Sequence, residues 1–510
     1  MTTRTRFAPS PTGYLHVGGI RTALFAYLVA RQAEGQFILR LEDTDKNREV
    51  EGSAEHLLAS LRALGLTYDE GPDIGGPYAP YKQSDRLDIY RQWAQKLIDA
   101  GRAYADPYTA EEVQKFREEA QANKQAFLYR NHRPANPPAW DGTQPLRFRS
   151  DPKSYQWHDE VMGDLSTGPE VVDDFILMKS DGYPTYNFCH IVDDAEMKIT
   201  HIIRGQEFIS SMPNFLNLYE ALGFDMTSAV KTTTVAKHEA TAELQGEVQA
   251  DEFSPSAKRR GGHLLPTFAT MPHILNEQGN KKLGKRDGAK DVLDYVRDGY
   301  LPEALVSFIA TMGWNDGTEQ EIYTRQELVE KFSLSRVQRS GARFDDKRLL
   351  WVNGQFIRDL PLEKLSAYAE GFWPDEAHGA DKDYKLRVLT LAQDRLKTLA
   401  DLRGFGYFFA EPNADMSLIT ENKQLKKLEQ AEIDQLLATC REALEAVEQW
   451  TPEAIQDALN TLLETTGQKP GVLFSLIRIV VTWAPFSPQL NDTLALLGKE
   501  TALQRLSVQP

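Results

Sequence analysis

Two short segments of this chain carry side chains suited to handling phosphate. The first runs Arg6-Phe7-Ala8-Pro9-Ser10-Pro11-Thr12-Gly13-Tyr14-Leu15-His16-Val17-Gly18-Gly19. It reads as a strand, a turn broken by two prolines, then an imidazole and two glycines at the mouth of a helix. Glycine lets a phosphate or nucleotide come close to the backbone. The exposed N–H groups and positive dipole end of a helix start favour negative charge, and His16 can donate to a phosphoryl oxygen as charge builds there. The second segment, Lys281-Lys282-Leu283-Gly284-Lys285-Arg286-Asp287-Gly288, packs its cations between Gly279 and Gly288. Fixed cations of that kind neutralise a polyphosphate while its α-phosphate is attacked. Read singly, the first segment is also consistent with a Gly-rich turn holding an incidental histidine, and the second with a basic surface loop.

The elements that must position these segments are legible in the hydrophobic pattern. Arg4 to Ala8 reads as a strand, and Ile20, Leu24, Phe25 and Leu28 mark one face of a helix from Gly19 to about Glu34. Gln36 to Leu41 is a second apolar strand, and a helix over about Ser53–Leu64 stops at Gly65. Alternating strand and helix predicts an α/β fold, a doubly wound parallel sheet with right-handed crossovers, which binds ligands outside the carboxyl ends of its strands. The texture changes after Ala105. A charged helix (Ala110 to Asn123), a Pro-rich stretch (Arg133 to Pro145) and antiparallel strands near Leu146 to Trp157 read as an α+β insertion, and a strand follows at Ile199 to Arg204. Residues 226–266, ending on Ser256-Ala257-Lys258-Arg259-Arg260-Gly261-Gly262, read as a surface insertion or mobile hairpin, with disorder as the alternative. From Pro302 onward the pattern is all-α, and the stripe Leu386, Val388, Leu389, Leu396, Leu399 and Leu402 is that of core packing.

Length and charge bound these readings. A chain of 510 residues is too long for one core and predicts three to four domains. Its 58 basic and 74 acidic side chains (58 − 74 = −16) argue against a non-specific DNA binder, although a local basic stripe can still grip one folded RNA. No apolar run approaches the ~20 residues a membrane span needs, and Met1 to Phe7 lacks the apolar core of a secretion signal. The only cysteines, Cys189 and Cys440, lie far apart, so neither a disulfide framework nor a Cys-x-x-Cys metal site is expected. A cytoplasmic location without membrane attachment is the expectation.

Taken together, the two phosphate-handling segments resemble the signatures of class I aminoacyl-tRNA synthetases. Phe7 to Gly19 followed by Arg21-Thr22-Ala23-Leu24 resembles the glutamyl branch in particular. Leu39-Arg40-Leu41-Glu42-Asp43-Thr44-Asp45, Tyr183-Pro184-Thr185-Tyr186-Asn187, Val192-Asp193-Asp194 and His201-Ile202-Ile203-Arg204-Gly205 match further blocks of that family in order. The likeness is strong over 1–310 and looser over the helical remainder. It implies a nucleotide-binding (Rossmann-like) catalytic domain in two halves, 1–105 and 191–310, the second carrying the extra stretch at 226–266. Between them, 106–190 would be an inserted acceptor-arm-binding domain. A helical connector would follow over 311–375, and an all-helical anticodon-binding domain over 376–510.

The activity so implied is ATP-dependent activation of L-glutamate to glutamyl-adenylate and transfer to the 3′-terminal ribose of tRNA(Glu), by a cytoplasmic monomer. Magnesium would accompany ATP, coordinated largely by phosphates and water. His16, Lys282, Lys285 and Arg286 would stabilise charge in the reaction. Arg6 would pair with the glutamate side-chain carboxylate as a bidentate fork and so reject glutamine. Ser10, Glu42, Tyr186 and Arg204 would complete the amino-acid pocket, with Glu42 on the ammonium and Arg204 on the α-carboxylate. Ala8, His16, Gly18, Gly19, Glu207 and Lys285 would contact ATP. Arg403, Phe405 and Tyr407, in a Gly-broken segment, are candidates for reading anticodon bases.

The sequence also departs from the family pattern. Gly284 stands where the family usually has Ser. Some members build a zinc site from Cys-x-Cys in the insertion, but Tyr104-Ala105-Asp106-Pro107-Tyr108 has no thiol, so no zinc or other protein-held metal is expected. His190 is open between a core histidine and a pocket residue touching glutamate. Lys258-Arg259-Arg260 is open between a solvated run and an RNA contact. Rival readings are a ligase that also glutamylates tRNA(Gln) and an inactive RNA-binding paralogue.

Overall fold

A computed structural model describes residues 2–226, 230–233, 263–284 and 290–507. The extra stretch at 226–266 therefore lies largely outside the described residues, Lys258, Arg259 and Arg260 included, as do Lys285 and Arg286. By internal contacts the chain forms two units. One comprises 1–293 with 306–345, the other 294–305 with 346–510. The expected connector, 311–375, is divided between them.

The first unit is built on a sheet whose strands are β1 (Arg4–Phe7), β2 (Gln36–Leu39), β5 (Ser154–Asp159), β6 (Gly163–Thr167), β8 (His201–Gly205), β9 (Val230–Thr233) and β10 (Thr267–Met271). A smaller sheet holds β3 (Ala103–Ala105), β4 (Leu146–Phe148) and β7 (Ile176–Met178). The large sheet runs β2-β1-β8-β10-β5-β6, parallel from β2 to β5, with β9 alongside β5. Thr5, Arg6, Phe7, Phe37, Ile38, Leu39, Ile202 and Ile203 are buried, as strands covered on both faces must be.

One strand pair differs from the sequence reading. The strands expected near Leu146 to Trp157 do not form one insertion sheet. β4 joins the small antiparallel sheet, whereas β5 pairs with β10 through Phe268 and Asp159 and so extends the large sheet. The physical reason is the buried Asp159 carboxylate, which accepts from the Thr270 N–H and hydroxyl and from the N–H groups of Val161 and Met162. A carboxylate out of water needs such donors. Here they come from β10 and from the β5–β6 turn.

The helices that carry the site are α1 (Val17–Gln32), α2 (Ser53–Ala63), α3 (Leu87–Asp99), α4 (Ala110–Ala122), α5 (Tyr186–Glu196), α6 (Met212–Ala221) and α7 (Val292–Arg297). The insertion helix α4 opens on a reciprocal cap, in which the Thr109 hydroxyl accepts from the Glu112 N–H and the Glu112 carboxylate accepts from the Thr109 N–H. The second unit is held by an apolar core in which Leu437, Leu459, Leu476, Ile477, Val480 and Leu494 interdigitate among helices spanning Gln430–Glu445, Pro452–Thr466, Pro470–Thr482 and Leu490–Leu497.

Gly35, between α1 and β2, is sterically required. A Cβ there would strike the Thr3 carbonyl oxygen, which accepts the Gln36 N–H at 2.8 Å and so sets the β1–β2 register. Gly35→Ala is expected to destabilise the first unit by about 1–3 kcal/mol through overpacking. Urea unfolding measures it, and an unchanged midpoint would show that the strand pair absorbs the methyl group.

Candidate active site

The first signature lies at the carboxyl end of β1 and the start of α1. His16 caps α1. Its Nδ1 accepts the Gly18 N–H at 3.1 Å, which puts the imidazole proton of the neutral ring on Nε2. Both glycines make room. A Cβ at Gly18 would lie 3.0 Å from His16 Cε1, and one at Gly19 would lie 2.6 Å from Leu15 Cδ1. His16 and Ser10 are exposed and Ala8 half-buried.

The second signature opens on a hairpin. Leu283 N–H donates to Ile274 and Leu275 bridges Lys282. The exposed Lys282 ammonium lies 3.8 Å from the Glu207 carboxylate, whose other oxygen is 3.9 Å from His273 Nδ1. Glu207 follows β8 directly, so two residues read separately in the sequence, one for ATP and one for the Lys-rich segment, meet in space.

Beneath these lies a cluster of buried charge that the sequence reading did not assemble. Arg40, with no exposed surface, donates to Glu42 at 2.8 Å and to Asp194 at 2.7 Å, and its Nε lies 3.6 Å from Asp193. Arg6 donates through Nε to Asp194 at 3.1 Å and through Nη1 to the Ile203 carbonyl. Its Nη2 has no partner among the described residues. Asp193 also accepts from Arg86, Gln83 and Tyr90. Burial alone would raise the Asp194 carboxyl, but the Arg6 and Arg40 guanidiniums override it and hold it down at about 2. Burial wins at Glu42, whose carboxyl is raised although Arg40 and Arg6 oppose it.

Arg204, at the end of β8, is different. It is buried against the rings of Phe208, Phe215 and Phe268, with its carbon Cζ 5.2 Å from the Phe215 centroid. Nη2 meets the Met212 sulfur, and Nη1 is buried without a hydrogen-bond partner. No carboxylate lies within ion-pair distance of it among the described residues. His190 Nδ1 donates to the Tyr186 carbonyl at 2.6 Å while its Nε2 is buried with no donor. Its ring stacks on Tyr186 at 4.6 Å, which in turn stacks on Phe208. The buried Tyr219 hydroxyl also lacks a partner. Arg204 lies over the rings of Phe215 and Phe268, against which His190 and Tyr219 pack in turn, so these unmatched polar atoms are neighbours. A pocket with an unmatched cation, an unmatched hydroxyl and an unmatched ring nitrogen is chemically incomplete without an anionic, hydrogen-bonding ligand.

In the helical unit the expected base-reading trio separates. Arg403 is exposed, but Phe405 and Tyr407 are buried in a ring cluster with Phe408 and present no face to a base. The chain turns these rings inward because the 3-10 helix Leu399–Phe408 directs them into the unit's own core. An exposed ring does stand beside Arg403. Phe486 is 55% exposed, and a Cβ on Gly404 would lie 4.0 Å from its Cζ.

This geometry, a parallel sheet with a His-x-Gly-Gly helix entry, a Lys-bearing hairpin and a buried charge cluster beside them, is that of a class I tRNA synthetase. A family model for tRNA synthetases class I (E and Q), catalytic domain, matches residues 2–242 and 262–351, and one for an anticodon binding domain matches 362–509. A glutamate–tRNA ligase of Clostridium botulinum is 36% identical over 99% of this chain and 97% of its own length, and that of Moorella thermoacetica is 35% identical over the same shares. A solved glutamate tRNA ligase from Elizabethkingia meningosepticum, in complex with its amino acid, superposes with a TM-score of 0.80 at 30% identity, covering 99% of this chain and 98% of that one. The chain belongs to the glutamate–tRNA ligase family.

His190 provides a pH test of the pocket. Burial first, then the Arg204 charge, pushes its imidazole down to about 3. The unfolded chain takes up that proton near pH ~6.5, the folded chain only near 3. Stability is therefore complete above about pH 6.5 and lost as pH falls toward 3, at up to about 1.4 kcal/mol per pH unit. His190→Gln, which gains no charge, is expected to lose less stability than the wild type between about pH 7 and about pH 5. Equal shifts in urea midpoint would show that His190 is not held neutral.

Proposed function

We propose that this protein activates L-glutamate with ATP as glutamyl-adenylate and transfers it to the terminal ribose of tRNA(Glu), releasing pyrophosphate and AMP. The observation that carries the reading is the charge of the pocket. Arg6, Arg40 and Arg86 are matched by Glu42, Asp193 and Asp194, and Arg204 is left over. The surplus is one positive charge. Glutamate, with two carboxylates and one ammonium, brings a net charge of minus one, whereas glutamine brings none and would leave a buried cation uncompensated.

In this reading Arg204 Nη1 takes the α-carboxylate and Arg6 Nη2 the side-chain carboxylate. Glu42 takes the ammonium, with Ser10 beside it, and the Tyr186 hydroxyl lines the pocket. His190 Nε2, on a ring held neutral, accepts a hydrogen bond from the bound amino acid's ammonium or from a water bridging to it. The α-carboxylate attacks the ATP α-phosphate and pyrophosphate leaves. A terminal ribose hydroxyl of tRNA then displaces AMP from the mixed anhydride. No group of unusual basicity is needed, so positioning and charge stabilisation supply the rate. His16 Nε2–H and the N–H groups beside Gly18 and Gly19 face phosphate oxygens, Ala8 lies against the nucleotide, and Glu207 holds Lys282. Lys285 and Arg286 add charge from the same segment. Magnesium enters with ATP on phosphate and water oxygens. No zinc is part of the reading, since Asp106, in the thiol-free stretch, is engaged by Arg147 and Tyr129. A cytoplasmic enzyme fits a chain in which no helix among the described residues is long and apolar enough to cross a membrane.

Attachment of radiolabelled glutamate to purified tRNA(Glu) and tRNA(Gln), with ATP and magnesium, tests the proposal. Charging of tRNA(Glu) but not tRNA(Gln) is the expected result. Charging of both would establish the broader ligase, and charging of neither with RNA binding intact would leave an inactive RNA-binding paralogue.

For the anticodon, Arg403 and Phe486 replace the buried rings, one supplying charge and one a stacking face. Phe486→Ala is expected to raise the tRNA KM about 5- to 100-fold, the range of one lost base–aromatic stack, with the glutamate KM unchanged. An unaltered tRNA KM in steady-state charging would remove Phe486 from the RNA surface.

A further inference from the structure

His56 lies on α2, outside every motif that marks the site, and its ring touches the neighbourhoods of both. One face stacks on Tyr14 of the first signature, with centroids 4.4 Å apart and planes 26° apart. Its Nε2 lies 2.7 Å from Asp291 Oδ2, just beyond the Lys-rich segment, and the two side chains are only 13% and 15% exposed. A carboxylate only accepts here, so Nε2–H donates.

Asp291 is a junction. Its backbone bridges His16, and the next N–H, of Val292, donates to the Leu15 carbonyl. Its other carboxylate oxygen accepts the Leu293 N–H at the start of α7. α2 grips the first signature a second time, because the Ser53 hydroxyl donates to the Gly13 carbonyl at 2.7 Å. The Ser60 hydroxyl donates to the His56 carbonyl and lies 3.5 Å from Nδ1, which steadies the imidazole from the side opposite Asp291.

We infer that His56 is a positioning residue for adenylate formation: through the Nε2–H it donates to Asp291 it holds the residues on the far side of the Lys-rich segment in register with His16, the Tyr14 stack serving only to seat the ring. It touches no reacting atom. The Asp291 carboxylate could serve α7 without it, and Tyr14 would remain half-exposed without it. The Nε2–H is the piece that ties α2, and with it the first signature, to Asp291. Holding two charge-bearing segments within a fraction of an ångström matters for phosphoryl chemistry, where misplacement by about 1 Å can cost on the order of 100-fold in rate.

This inference rests on the proposed activity, and two near-isosteric variants test it apart from that activity. His56→Phe keeps the stack on Tyr14 and removes the donor. His56→Gln removes the ring and keeps an N–H able to reach Asp291. In tRNA charging and ATP–pyrophosphate exchange by the full chain, His56→Phe is expected to lower kcat for activation about 10- to 100-fold with the glutamate KM unchanged, while His56→Gln recovers most of the loss. Asp291→Ala should fall at least as far as His56→Phe, since it also removes the acceptor of the Leu293 N–H, and adding His56→Phe to it should cost nothing more, because the His56 donor acts only through that carboxylate. Full activity in His56→Phe, or additive losses in the double variant, would overturn the inference while leaving the enzyme's function intact. Equal losses in the Phe and Gln variants would also overturn it. A wild-type protein that charges no tRNA would instead sink the functional reading beneath it.

Discussion

A guanidinium sealed from water sets the terms for the rest of the catalytic unit. Arg40 touches Glu42, Asp193 and Asp194 and has no exposed surface. Removing such a charge from water costs several kcal/mol per ion, and its partners offset that cost only if all of them are in place. Arg40 follows β2, Asp193 and Asp194 sit on α5, Arg6 is on β1, and Arg86 leads into α3. Misplacing any one of these elements strands a buried charge. The cluster is therefore a weak source of net stability and a strong source of specificity. It makes one arrangement of β1, β2, α3 and α5 far better than its near neighbours, and that arrangement presents Arg6 and Glu42 together.

The α/β alternation, the His-x-Gly-Gly helix entry and the all-helical second half were legible in the sequence because each is written in residues a few positions apart. The charge cluster was not. Arg40, Asp193 and Asp194 lie inside segments that attracted notice, yet their pairing spans 153 and 154 positions, and no local pattern encodes it. The β5 strand was grouped with the insertion for the same reason, since its tie to β10 depends on Asp159 finding Thr270 across 111 positions. Phe405 and Tyr407 show the limit from the other side. A Gly-broken aromatic segment looks the same in sequence whether its rings face a base or a core, and here they face the core. Phe486 sits far along the chain between Pro485 and Ser487 in no motif at all. His56 was silent because a histidine on an amphipathic helix is ordinary, and only folding brings Tyr14 and Asp291 to it.

The insertion repeats the logic of the pocket on a smaller scale. Asp106 accepts from Arg147 and Tyr129, and Asp174 accepts from Arg133, Ser150 and Tyr104. The guanidinium of Arg147 also lies over the Tyr129 ring, 3.3 Å from its centroid. These bonds join β3, β4 and the segment before β7, so the small sheet is pinned by directional contacts, which fix geometry better than apolar area does.

The helical unit is built the other way. Its core is aliphatic almost throughout, with Leu425, Leu459, Leu473, Leu476, Ile477 and Val480 fully buried. Such a core tolerates volume-conserving exchange, since Leu, Ile and Met fill similar space without leaving a polar atom unpaired. A buried charge has no such substitute. Arg40→Met would leave Glu42, Asp193 and Asp194 short of a shared cation, and even Arg40→Lys would replace a planar fork serving several carboxylates with a single point charge. Variation in the helical unit therefore acts first on stability. Variation in the catalytic centre acts first on charge balance, because Glu42, Asp193 and Asp194 share the same few guanidiniums.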